Sequence, residues 1–180
     1  MRLKDSRYEE IKEIVVNTFE KYDIRCIPVN GFEIASKMNT TVIPYSAYKK
    51  STVDLMLMES EDGFSIKRFG KWYIFYNDNR LYGRVNNTIM HENGHIILGH
   101  TEDSELAEAE ANFFAKYALA PPVLIHKLAL TDIYQISEHF EISFEAAKNA
   151  LSFYYKWLNY GGKYYKDYEI KLCNLFDIAL

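Results

Sequence analysis

The chain is poor in the features that mark secreted and membrane-spanning proteins. It has only two cysteines among 180 residues, Cys26 and Cys173, which are too few for a disulfide framework and are typical of a reduced, cytosolic protein. No apolar run approaches the roughly 18 residues that a membrane span requires. The first residues lead into charged sequence without a secretory hydrophobic region. We therefore expect a cytoplasmic protein with no membrane association.

The chain also lacks the basic surface of a nucleic-acid-binding protein. It carries 21 Lys and Arg against 25 Asp and Glu, which gives a net charge of −4. Proteins that bind DNA or RNA use clusters of Lys and Arg to neutralise phosphates. No long basic run is present, so we predict no direct nucleic-acid binding.

The length and the hydrophobic pattern predict one α+β domain over 1–180. We expect an N-terminal helix, a central region over about 60–120, and a helical C-terminal region over about 122–180. Two helix ends are predicted, one at Gly99, which suits a left-handed helix end, and one at Pro121-Pro122. The predicted elements are helices over about 6–22 and 32–38, a strand over 41–43, a hairpin of strands 64–67 and 72–76, helices over about 85–98 and 104–119, and a helical remainder with breaks at Thr131, Ser143 and Gly161-Gly162.

The segment His91-Glu92-Asn93-Gly94-His95 has the spacing H-E-x-x-H on a predicted helix. Residues four apart share a helix face, so both imidazoles can reach one metal ion at about 2.0–2.1 Å. Glu92 is rotated by about 100° from His91 and can accept a proton from a water beside the ion. The alternative is a solvated helix face that carries two histidines. Gly94 costs helix stability and indicates close approach of another element.

A catalytic zinc needs a third protein ligand, with the fourth position left for water. His100 does not fit the metzincin pattern, which requires two residues between Gly and the third His. In this chain Gly99 and His100 are adjacent. We predict instead that His100 caps the end of the helix, where a cation is favoured.

An acidic residue on the next helix is the better third ligand, and helical phase separates the candidates. Relative to Glu108, Asn112 lies about 40° away, Glu105 about 60° and Glu110 about 200°. We choose Glu108, with Glu105 second, and expect Asn112 to hold a ligand histidine. Glu110 lies on another face, so Glu110→Gln is expected to leave metal content unchanged. The alternative is that these acids only favour a helix N-terminus.

The combination resembles the ImmA/IrrE family of metallopeptidases. The matching segments run from Arg84 to His100, with the H-E-x-x-H motif, and from Glu108 to Ala115, which begins Glu-Ala-Glu-Ala-Asn. The resemblance covers about residues 30–155. It implies a gluzincin-like fold with a small sheet beside two metal-bearing helices, and it places the third ligand on Glu108. Lys116, Tyr117 and Ala120 depart from the family pattern.

The resemblance also implies a function. Members are cytosolic zinc endopeptidases that cleave helix-turn-helix transcriptional repressors, often of phages or mobile elements, and so relieve repression. The expected hydrolase uses Glu92 as general base. His126 and Tyr82 are candidates for stabilising the oxyanion. His and carboxylate ligands suit zinc but admit Mn²⁺ or Fe²⁺.

Two rival functions are open to the same sequence. One is a catalytically silent metal-binding partner of a repressor, similar to an antitoxin, although the intact Glu92 argues against it. The other is direct DNA binding through 140–147, which loosely resembles a helix-turn-helix. The acidic charge favours an N-capped packing helix there.

Two further expectations concern β-prone and aromatic segments. Trp72 to Tyr76, if it is an edge strand, can pair with an extended substrate. The stretch 153–168 has eight aromatic residues, which either pack over the core or form a surface for a protein partner. They are Phe153, Tyr154, Tyr155, Trp157, Tyr160, Tyr164, Tyr165 and Tyr168.

Overall fold

The computed structural model describes residues 2–102, 104–161 and 164–179, and these form an α+β fold, as expected. The predicted break at Gly161-Gly162 includes Gly162, which lies outside the described residues. The helices are α1 (Asp5–Lys21), α2 (Gly31–Lys37), α3 (Lys50–Glu59), α4 (Tyr82–Leu98), α5 (Glu105–Leu119), α6 (Pro122–Lys127), α7 (Ile133–Phe140), α8 (Phe144–Tyr160) and α9 (Asp167–Leu175), and the strands are β1 (Thr41–Pro44), β2 (Gly63–Arg68) and β3 (Lys71–Tyr76).

The sheet has the strand order β1-β3-β2. β2 and β3 form the predicted hairpin, with Phe69 and Gly70 both at positive φ in the turn, as a two-residue hairpin loop favours. β1 pairs in parallel with the other side of β3. The expectation that Trp72 to Tyr76 is an edge strand is therefore wrong. β3 is central because β1, which lies about 30 residues earlier in the chain, pairs with the side of β3 that β2 does not occupy.

The metal-motif helix α4 is held on one side by α2 and the sheet. Ile89 of α4 packs with Ile74 of β3 in a small apolar cluster. The start of α2 is fastened to α4 by buried amides: the Gly31 N–H donates to Asn86 Oδ1 at 2.7 Å, and Asn93 Nδ2 donates to the Gly31 carbonyl at 2.9 Å. These bonds fix the position of α4 along its length.

On its other side α4 packs against α5. Gly99 ends α4 at φ 74°, and Ser104 caps α5 by accepting the N–H of Ala107. A Cβ added at Gly94 would meet the Cδ1 atom of Phe114 at 3.1 Å, so the expected close approach of another element is confirmed. The glycine lets the two helices lie side by side at the level of the motif.

The N-terminal helix α1 covers the far side of α5. Ile11, Val15 and Phe19 of α1 belong to the main core, which also includes residues of α5, α6 and α9. Tyr8 meets Phe113 of α5 edge-on, with ring centroids 4.6 Å apart. α1 is thereby fixed against the helix that follows the metal motif.

In three places the structure differs from the sequence-based expectation or decides between two alternatives. α3 was not predicted, and it buries none of its residues. α4 begins at Tyr82 rather than near Val85. Five residues of the aromatic stretch pack on the main core, namely Phe153, Tyr154, Trp157, Tyr165 and Tyr168, whereas Tyr155, Tyr160 and Tyr164 are exposed. Among the described residues, no helix has both the length and the apolar character to cross a membrane.

Candidate metal centre

Three side chains from α4 and α5 converge on one point. The Nε2 atoms of His91 and His95 are 3.0 Å apart. Glu108 places Oε2 at 3.4 Å from His91 Nε2 and Oε1 at 3.1 Å from His95 Nε2. Among the described residues, this is the group of His, Cys, Asp and Glu that could hold a metal ion. Glu105, the second candidate for the third ligand, is not part of it.

The triangle of ligand atoms has the dimensions of a metal site. Two ligands at about 2.0–2.1 Å from a tetrahedral ion lie roughly 3.3 Å from each other. The distances of 3.0, 3.1 and 3.4 Å among the three residues are close to that value. Burial, and next the neighbouring His95, lower the pKa of His91 to about 4. His91 is therefore neutral at neutral pH, the form that binds a metal.

Glu108 leaves one side of the triangle open. Its side chain is 51% exposed, whereas those of His91 and His95 are mostly covered. A groove of about 790 Å³ is lined by Tyr8 of α1 and by residues of α5, including Glu108. Its lining residues are Tyr8, Ser104, Glu105, Glu108, Ala109, Asn112, Phe113 and Lys116. Glu108 is the one residue of the triangle that lines this groove.

Glu92 lies next to His91 on α4 and is 7% exposed. Its carboxylate acts electrostatically on Tyr45, whose pKa is raised to about 12 by burial and then by the charge of Glu92. Because Glu92 is one position from His91 on the helix, it lies beside the triangle and not in it. A carboxylate in this position can accept a proton from a water without displacing a ligand.

Asn112 lies one helical turn beyond Glu108 on α5. Its Nδ2 donates to the carbonyl of Glu108 at 2.8 Å, and its side chain is near enough to His91 to oppose the lowering of that residue's pKa by burial. The amide therefore lies between His91 of α4 and the turn of α5 that carries Glu108.

His100 has a different role from the one that the sequence suggested. His100 caps α4 with its backbone N–H, which donates to the His95 carbonyl at 3.0 Å, and not with its side chain. Its imidazole lies between His95 and Glu110: Nδ1 is 3.0 Å from His95 Nδ1, and Nε2 is 3.1 Å from Glu110 Oε2. The left-handed turn at Gly99 folds the next residue back along the helix, which brings its ring to His95 rather than to the helix end.

Glu110 faces away from the ligand triangle, as the helical phase indicates, but it is tied to the site from behind. Arg7 of α1 donates to its carboxylate from Nε at 2.8 Å. The sequence gives no signal for this pair, since the two residues are 103 positions apart. The hydrogen bond from Arg7 holds the pKa of Glu110 below its usual value.

The surroundings of Tyr82 and His126, the two candidates for stabilising the oxyanion, differ from those of the ligand triangle. Tyr82 is the first residue of α4. Nine helical positions place it about 13 Å along the axis from His91 and on the opposite face. His126 Nδ1 lies 3.0 Å from the Tyr154 hydroxyl, and its ring contacts Trp157 and Tyr165. These contacts give no support to an oxyanion role for either residue.

An α+β fold in which an H-E-x-x-H helix and a glutamate of the next helix can form one ligand set is typical of metallopeptidases. The sequence comparisons identify the family. The model of peptidase family M78, described as the IrrE N-terminal-like domain, matches residues 37–152, well over half of the 180 residues. The chain belongs to this family, and the resemblance to ImmA/IrrE proteins is confirmed. A comparison with curated proteins gives no match.

Proposed function

We propose that the protein is a zinc-dependent endopeptidase with His91, His95 and Glu108 as metal ligands and Glu92 as general base. The observation that carries the proposal is the ligand triangle, with nitrogen and oxygen atoms 3.0–3.4 Å apart and Glu92 one position from His91. Membership of a metallopeptidase family supports it. Two imidazoles and a carboxylate suit zinc and leave one position for water.

The reaction would be hydrolysis of a peptide bond. When bound, zinc lowers the pKa of a coordinated water and polarises the scissile carbonyl. Glu92 accepts the proton of the attacking water and passes it to the leaving amine. His91 is neutral because burial lowers its pKa, and His95 keeps its ring orientation through its contact with His100. Burial of Glu92 keeps bulk water away from the proton that it transfers.

The substrate that we propose is a helix-turn-helix transcriptional repressor in the cytoplasm, of the phage or mobile-element type. This part rests on the resemblance to ImmA/IrrE proteins. A peptidase of this kind requires the scissile segment to be extended so that its carbonyl can face the ion. We therefore expect one cut, in an exposed interhelical or interdomain segment of the repressor.

The edge of β2, not β3, is the strand that we propose for pairing with the substrate. β2 has β3 on one side and, within the described residues, no strand on the other. It also lies against α4: a Cβ added at Gly63 would meet Thr88 Cγ2 at 2.7 Å, one helical turn before His91. Strand addition at this edge supplies affinity through backbone hydrogen bonds.

The proposed activity can be tested in the native host by sequencing newly formed N-termini. Cells that express the wild type are compared with cells that express Glu92→Gln, which keeps the ligands and removes the base. We expect a new N-terminus within a helix-turn-helix repressor for the wild type only. When the purified protein is then mixed with that repressor, a chelator is expected to stop the cleavage. An equal cut with Glu92→Gln contradicts the role of Glu92, and the absence of any cut favours the silent metal-binding partner.

Pairing with β2 can be tested with proline variants of the substrate that is cut. Proline has no N–H to donate to a strand, so at least one cut-flanking position is expected to abolish cleavage when changed to proline. Alanine at the same position is the matched control and is expected to leave the rate within about threefold. Full cleavage of every proline variant excludes strand addition but not the peptidase assignment.

A further inference from the structure

A continuous row of polar contacts leads from the ligand histidine His95 to the N-terminal helix. His95 Nδ1 lies 3.0 Å from His100 Nδ1, and His100 Nε2 lies 3.1 Å from Glu110 Oε2. Arg7 then donates to both oxygens of Glu110, from Nε at 2.8 Å and from a terminal nitrogen at 2.5 Å. The row joins α4, the turn after it, α5 and α1.

One arrangement of protons satisfies the contacts of this row when His95 binds a metal. His95 Nε2 faces His91 and Glu108, so its lone pair serves the ion and its proton is on Nδ1. That N–H faces His100 Nδ1 at 3.0 Å and donates to it. His100 then carries its own proton on Nε2 and donates it to Glu110. The carboxylate of Glu110 accepts from His100 and from Arg7.

The side chains of this row are largely shielded from water. The side chains of His95 and His100 are each 13% exposed, and that of Glu110 is 8% exposed. Arg7 closes the outer end at 27% exposure. A bidentate pair of guanidinium and carboxylate fixes both partners in a plane. The orientation of Glu110, and with it the ring of His100, is thereby set by α1.

We propose that His100, Glu110 and Arg7 are positioning residues that hold His95 in the orientation and tautomer required for the metal. It follows that α1 is part of the metal centre, although it lies outside residues 37–152, the part matched by the family. The inference rests on the metal site of the proposed function. Residues that orient metal-binding histidines commonly change metal affinity by 10–100-fold when removed.

The test is a zinc titration of purified apo-protein against a chelating dye. His100→Phe is expected to raise the dissociation constant of zinc by about 10–100-fold. Glu110→Gln, which is nearly isosteric, is the second variant and is expected to change the dissociation constant in the same direction. Arg7→Met is expected to raise it by a smaller factor, roughly 3–10-fold, because it acts through two other side chains. At saturating zinc each variant still binds one ion, so Glu110→Gln lowers the affinity for zinc and leaves the metal content of the saturated protein unchanged.

Two variants separate the metal role from charge and surface effects. Glu10→Gln removes the other, exposed partner of Arg7, at 2.8 Å, and leaves Glu110 in place, so zinc affinity is expected to be unchanged. Arg7→Lys keeps the charge and one donor, so it is expected to recover part of the loss seen with Arg7→Met. The absorption bands of the Co²⁺ form report ligand geometry and are expected to shift in His100→Phe and not in Glu10→Gln.

Melting temperatures with and without zinc show whether the effect is only structural. A structural role lowers both melting temperatures equally and leaves the dissociation constant unchanged, which overturns the inference. A positioning role reduces the increase in melting temperature that zinc produces, since that increase follows from affinity. If the wild type itself binds no zinc, the proposed function fails, and not only this inference.

Discussion

The α4–α5 pair and helix α3 differ in how they are held. α4 buries eight of its residues and α5 also buries eight, whereas α3 buries none. Even polar residues of α4 are enclosed, such as Asn86, which receives the Gly31 N–H and donates to the Val29 carbonyl. The difference indicates that α4 and α5 are held by packing on the core, whereas α3 lies on the surface.

The apolar residues of α3 make this contrast sharper. Leu55 and Met58 are 67% and 83% exposed, although both are hydrophobic. In α4 a single position without a side chain, Gly94, is enough to set the spacing to Phe114 of α5. Substitutions in the two regions are therefore expected to have effects of very different size.

The larger effect is expected for Gly94→Ala. Alanine gains about 1 kcal/mol in helix propensity, but its Cβ would lie 3.1–3.3 Å from three atoms of the fully buried Phe114. Overpacking of this kind costs about 1–3 kcal/mol, so we expect a net loss in the free energy of unfolding of about 1 kcal/mol. Urea denaturation measures it. A gain in stability would mean that Phe114 moves freely and that the α4–α5 contact is not tight.

The smaller effect is expected for the double variant Leu55→Ser and Met58→Ser in α3. Surface substitutions generally change stability by no more than about 0.5 kcal/mol, and we expect the same here in urea denaturation. A loss of 2 kcal/mol or more would show that α3 is covered by a contact in solution and would remove the contrast with the α4–α5 pair.

The parts of the molecule that the sequence predicts are those with local, periodic signals. The H-E-x-x-H spacing and the helical phase of Glu108 both depend on residues within one helix, and the structure brings His91, His95 and Glu108 together. α3 was missed because it packs no apolar face on the core. Its hydrophobic residues therefore show no periodicity that a sequence pattern could reveal.

The features that the sequence does not predict depend on distant pairing. The central position of β3 is decided by β1, which joins it from more than 25 residues earlier in the chain. The contact of Arg7 with Glu110 spans 103 positions. The role of His100 depends on the direction in which the chain turns at Gly99. Each of these features depends on the folded structure and cannot be predicted from local sequence patterns.

The most direct test of the account is the zinc content of the purified protein and of three glutamate variants. We expect about one zinc per chain in the wild type, in Glu92→Gln and in the control Glu105→Gln, because neither of these residues belongs to the ligand triangle. Glu108→Gln is expected to retain little or no zinc after dialysis, because it removes a charged ligand. A wild type without zinc, or a Glu108→Gln variant that holds zinc as tightly as the wild type, would contradict the proposed metal centre.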